Sequence, residues 1–167
     1  MRNNIRGLVF HIFIIIILFL LNILIGLSDT LSGFLYGNII FKIILALIPV
    51  LLYFNFSKAM NKRVSRKLDF LAGNLIILIS LILFVPVFLV HGLSMFKMNV
   101  AESLWKFPLD LFLMPGLFSF QLLGLGYNMA TLALSAVIPG FIYGISIRRS
   151  RRKIHRRNKM MEIKHRR

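Results

Sequence analysis

Four uninterrupted apolar windows, residues 8–27, 38–56, 70–90 and 123–147, fill half of the 167-residue chain. They are 20, 19, 21 and 25 residues long. A bilayer core of roughly 30 Å needs about 20 apolar residues at about 1.5 Å each, so every window is long enough to cross. Lipid offers no hydrogen-bond partner to an open strand edge, and a barrel would show segments of about 10 residues alternating polar and apolar. The windows run apolar without alternation. The predicted fold is therefore an all-α integral membrane protein, a bundle of four transmembrane helices.

What remains outside the windows is too small to fold alone. The longest leftover piece has 32 residues, below the roughly 40 at which a domain can begin to stand without staples or partners. Residues 1–147 thus read as one membrane domain and 148–167 as a tail. The composition agrees: 58% apolar and 16% charged, against about 45–50% and 25% in soluble proteins. Cysteine is absent, which excludes disulfides and thiolate metal sites. Arg2, Arg6 and the small residues Gly26 and Ser28 resemble a signal peptide, but the first apolar run exceeds the 7–15 residues of a signal core. It is expected to stay as span 1.

Charge orients the bundle, because Lys and Arg resist translocation. Eighteen of the 21 basic residues fall at the N-terminus, in the loop 57–69 and in the tail; Lys42, Lys97 and Lys106 fall on the other side. Asp29, Glu102 and Asp110 also lie on that outer side. Both termini are predicted to be cytoplasmic, in a cell membrane. The usage of Ile, Leu, Asn and Lys suggests an AT-rich bacterial genome.

The chemistry-bearing residues are few. No acid lies in any span, which disfavours an acid-based proton relay, and no metalloprotease, phosphate-loop or nucleophile-elbow signature occurs. His11 and His91 fall about a span apart, so they are not expected to share a metal or haem, and each reads as interfacial; no cofactor is expected. His155 and His165 add to the basic tail. Lys42 lies about 6 Å into span 2, where its stem can snorkel outward; the functional alternative is a vestibule cation attracting an anion. Asn22, Asn74, Ser80, Asn128, Thr131 and Ser135 read as interhelical glue, with a path lined by Asn74, Asn128 and Thr131 as the alternative. Pro49, Pro86 and Pro139 predict kinks in three spans.

Span 4 carries small residues at helical spacing: Gly126, Ala130, Ala133, Ala136, Gly140 and Gly144. At about 100° per residue they share one stripe, suited to close helix packing within the bundle or against a second membrane protein or copy. In the outer loop, Asn99 and Glu102 resemble a helix start, with Val100 to Lys106 helical until Phe107-Pro108 stops it. Trp105 suits the headgroup level, and 111–120 is too short to cross and too apolar for water, hence interfacial or re-entrant.

The tail holds eleven cations, among them Arg148, Arg149, Arg151, Arg152, Lys153, Arg156 and Arg157. Anionic lipid of the inner leaflet is the nearest polyanion, and each cation near it gains roughly 1 kcal/mol before screening. Ile147, Ile154 and Met161 recur every seven residues, consistent with a basic continuation of span 4. Without an aromatic stacking residue the tail carries no sign of sequence-specific nucleic-acid binding. The reading is a non-enzymatic accessory or regulatory membrane protein acting through helix contacts and a lipid-bound tail. A small permease or oligomeric channel is the alternative, and a membrane-embedded enzyme the third.

Overall fold

The computed structural model of the chain describes residues 2–60, 73–98 and 103–165. Those residues are helical, without strands, in the order α1 (Arg2–Gly26), α2 (Asp29–Gly37), α3 (Ile39–Phe56), α4 (Asn74–His91), α5 (Lys106–Leu122) and α6 (Met129–His165). Short 3-10 turns follow α3 at Ser57–Ala59 and α4 at Gly92–Phe96. Four helical stretches are long and apolar enough to cross a membrane: Asn3–Gly26, Ile39–Ala59, Asn74–Phe96 and Met129–Arg156. Their outward faces expose Phe13, Leu20, Leu51, Leu78 and Phe141, side chains that water would not favour and acyl chains would.

Local chemistry sets the element ends. Ser28 caps α2 by accepting the Leu31 amide, and Asn38 caps α3 through Ile40. Asn128 and Thr131 cap α6 reciprocally: each side-chain oxygen accepts the other residue's backbone amide at 3.0 Å. Antiparallel packing brings the start of α1, the end of α3, the start of α4 and the second half of α6 to one end of the bundle. There Tyr143 donates to the Gly7 carbonyl, Ser57 hydrogen-bonds Ser146, and Arg6 reaches the Ala59 carbonyl. The core at this end holds Ile14, Leu18, Tyr53, Ile76, Tyr143 and Ile147. A second core, of Val87, Met95, Leu109, Leu113, Leu117, Leu132 and Ala136, lies toward the opposite end.

Several loop expectations are corrected. The segment after span 1 is the helix α2, tied to α1 by the Tyr36 hydroxyl on Asn22. Span 4 does not start at 123: Leu123 caps α5, Gly124 adopts φ +77°, and α6 begins only at Met129, so Gly126 precedes the helix. Asn99 and Glu102 lie outside the described residues; helix begins at Lys106, and Phe107-Pro108 opens it instead of ending it. Proline is tolerated there because a first-turn amide has no intrahelical partner anyway. Residues 111–120 do not lie on the bundle's outside. They form part of α5, which packs against α1, α3, α4 and α6, and none of the ten is exposed.

Candidate functional site

Because α5 sits among the spanning helices, it takes charged residues with it. Lys106 and Asp110, one turn apart on its first turns, are 2% and 8% exposed. The Lys106 ammonium donates to the Met98 carbonyl, lies 4.3 Å from the Tyr127 ring centroid, and stands 3.6 Å from Asp110 Oδ2. The Tyr127 hydroxyl donates to Asp110 Oδ1 at 2.5 Å. Asp110 Oδ2 is buried and has no hydrogen-bond partner among the described residues. Burial raises the Asp110 carboxyl above its usual range, against the opposing pull of Tyr127 and Lys106. Burial, then the neighbouring carboxylate, raises the Tyr127 phenol far above 10.0.

Ser103 extends this cluster. Its carbonyl accepts the amides of Lys106 and Phe107, which fixes the start of α5, and its hydroxyl bonds His91 Nε2 at 2.7 Å. His91 therefore closes the end of α4 onto the start of α5. Alone, a buried ion pair is weak evidence of stability, since desolvation offsets most of the attraction; here a π face, a carbonyl and a phenol share the load. The sequence puts His91, Glu102 and Asp110 on one side of the bundle, where one outer pocket could gather them, but it gives no sign that Asp110 is buried. Lys106 reads from sequence only as another charge on that side, and nothing there singles out Ser103, Tyr127 or Met98.

His11 is placed quite differently from an interfacial histidine. It is 1% exposed, with Nε2 2.8 Å from the Phe112 carbonyl and Nδ1 2.5 Å from the Tyr53 hydroxyl. A carbonyl only accepts, so Nε2 carries a proton and donates to Phe112, and in the neutral ring Nδ1 accepts the hydrogen bond of the Tyr53 hydroxyl. Tyr53 and Phe112 pack on the imidazole, and Tyr143 packs edge-on to Tyr53. His11 thus joins α1, α3 and α5. Both histidines are committed to different partners, and no group of three His, Asp or Glu side chains gathers for a metal among the described residues.

The remaining sequence-selected residues divide. In span 4, Ala136, Gly140 and Gly144 are buried, whereas Ala130 and Ala133 are exposed and Gly126 is off the helix. The buried arc centres on the larger Leu132, Tyr143 and Ile147, so the small stripe forms one edge of it. The tightest approaches use glycines on the partner helices: a Cβ on Gly73 would lie 2.3 Å from Gly140 Cα, and one on Gly116 2.5 Å from Ser135 Cβ. Asn74 opens α4 and Asn128 caps α6 at the other end of the bundle, so they do not line one path with Thr131. Lys42 is half-buried one turn after the Asn38 cap.

Pro49 and Pro139 meet Pro115, from α5, around one cavity of about 190 Å³ between α3, α5 and α6. Ser119 reaches across it, donating to the Ala46 carbonyl a turn before Pro49. Pro86 sits inside α4. Along α6, Arg148, Arg149, Arg152, Lys153 and Arg156 line a groove of about 580 Å³. Arg151 is half-buried, and the Arg157 side chain lies outside the described residues. Compared with known protein families, curated proteins and solved structures, the chain shows no match.

Proposed function

We propose that the chain is a non-enzymatic accessory or regulatory subunit of a bacterial cell membrane, with both termini cytoplasmic and a basic helix held on anionic headgroups. One observation carries the reading: α6 runs without a break from Met129 to His165. Its cations therefore begin where the apolar helix ends, on a helix fixed by the bundle rather than on a loose tail. At about 1.5 Å per residue, the 37 residues extend about 55 Å, nearly twice a bilayer core. Arg148, Arg149, Arg152, Lys153 and Arg156 then stand at the inner headgroups, each gaining about 1 kcal/mol before screening. A partner would meet the outward face of α6, where Ala133, Leu134, Val137 and Phe141 are exposed.

Two measurements test this reading. A spin label on Arg156→Cys, the sole thiol, should be immobilised in nanodiscs containing phosphatidylglycerol and freed by high salt. Equal mobility in purely zwitterionic discs would overturn the lipid contact. Gentle detergent extraction should recover a stoichiometric membrane partner that Ala133→Leu displaces; a partner-free monomer would overturn the accessory role. A permease is the second reading, favoured by the meeting of Pro49, Pro115 and Pro139 around one cavity. Solute flux in proteoliposomes, altered by Pro49→Ala, would establish it in place of the first.

A further inference from the structure

The outward side of α6 changes from apolar to basic without turning. At about 100° per residue, Leu134, Phe141, Ile145, Arg149, Arg152 and Arg156 fall within an arc of about 80°. All are exposed, and the buried Tyr143 and Ile147 point to the opposite side. The basic part of this face is the groove of about 580 Å³, and Ile145 lines it together with the cations. Groove and apolar ridge therefore join at a shared residue. The acids among the described residues belong to the other end of the bundle: Asp29 follows the end of α1, and Asp110 binds Tyr127 ahead of the start of α6.

The cations stand in tiers along the helix axis. Arg148 with Arg149, Arg152 with Lys153, and then Arg156 follow at four-residue steps of about 6 Å, so the first and last tiers lie about 12 Å apart. A lipid with one phosphodiester, such as phosphatidylglycerol, carries a single layer of negative charge and reaches one tier. For one molecule to fill the next tier as well, its phosphates must follow one another away from the chain. Arginine forks hold phosphate oxygens bidentately, so two successive tiers can bracket such a pair. We infer that this face binds a lipid with a terminal diphosphate, of the polyprenyl diphosphate class, its chain along Phe141 and Ile145 and its phosphates between the Arg148–Arg149 and Arg152–Lys153 tiers. The inference rests on the placement of this helix at the inner headgroups proposed above.

The probes are farnesyl diphosphate, farnesyl monophosphate and inorganic pyrophosphate, titrated calorimetrically into the purified full chain in nanodiscs of zwitterionic lipid, with empty discs as the blank. The diphosphate should bind about tenfold more tightly or better than the monophosphate, which fills one tier, and than pyrophosphate, which lacks the chain. Arg152→Gln combined with Lys153→Gln should bring the diphosphate down to the monophosphate's affinity and leave the monophosphate as before. Ile145→Ser should weaken both farnesyl probes and leave pyrophosphate unchanged. These positions are exposed, so the melting temperature should stay near that of the parent. Equal binding of the two farnesyl probes would overturn the diphosphate, and pyrophosphate binding as tightly as farnesyl diphosphate, meaning that a soluble polyphosphate fills the groove, would overturn the lipid. Either result with the Arg156→Cys label still immobilised on phosphatidylglycerol would overturn this site alone; a label that is also free there would overturn the lipid-held helix with it.

Discussion

Gly73→Ala tests a close backbone approach between the start of α4 and α6. A methyl group there would sit 2.3 Å from Gly140 Cα and 2.7 Å from Gly140 N. Carbon atoms pack at about 3.5–4.0 Å, so the start of α4 and α6 must separate by more than about 1 Å. Both obstacles are backbone, and no side-chain rotation relieves them. Overpacking of this kind costs about 1–3 kcal/mol, and a rigid contact belongs at the upper end. Gly116→Ala meets Ser135 at 2.5 Å but lies inside α5, where replacing glycine regains about 0.5–1 kcal/mol. Its net cost should be about 1–2 kcal/mol. Gly126→Ala has nothing within 4 Å and should stay within about 0.5 kcal/mol. Thermal unfolding in mild detergent, followed by far-UV circular dichroism, should order the three. At about 2–4 °C per kcal/mol for a chain of this size, Gly73→Ala should lose roughly 6–12 °C. If it melts within a degree of Gly126→Ala, the Gly73 and Gly140 approach does not hold the bundle together.

Further outcomes follow from the polar clusters and the charge pattern. His11→Phe and Tyr53→Phe should each destabilise the chain, and the double variant should reveal a coupling of about 0.5–3 kcal/mol; additive losses would dissolve the pair. Burial raises the folded Asp110 carboxyl above its usual 3.8, so its contribution to stability is complete below 3.8 and lost as pH rises through the raised value. The melting temperature should therefore fall across that window, and Asp110→Asn should flatten the profile; an unchanged slope would count against the burial of this acid. In cells, Lys62→Cys should react with an impermeant maleimide only after permeabilisation and Leu104→Cys, fully exposed, without it. The opposite pattern would invert the proposed orientation.

The spanning helices were legible because continuous apolar length is a one-dimensional property that survives folding. What α5 does was not. Seventeen residues containing Pro108, Pro115 and Asp110 look unfit to cross and unfit for water, and only contact with four neighbours makes a helix there worthwhile. The same blindness hid the polar cluster: chain position puts Asp110 at the start of an interfacial or re-entrant stretch of the outer loop, whereas packing buries it beside Tyr127. His11 was misplaced for a related reason. The helix around it is apolar on all sides, so nothing in its periodicity marks the side that turns inward. The stripe in α6 was half informative, since small residues announce close approach but the glycines they approach, Gly73 and Gly116, belong to other helices.

The unbroken course of α6 also has a mechanical meaning. On the proposed orientation the charged half of the helix stands outside the bilayer while its apolar half packs in the bundle, where Gly140 lies against Gly73 beside Pro139. A pull on the arginines would be carried along one continuous helix to the point where Gly140 meets Gly73.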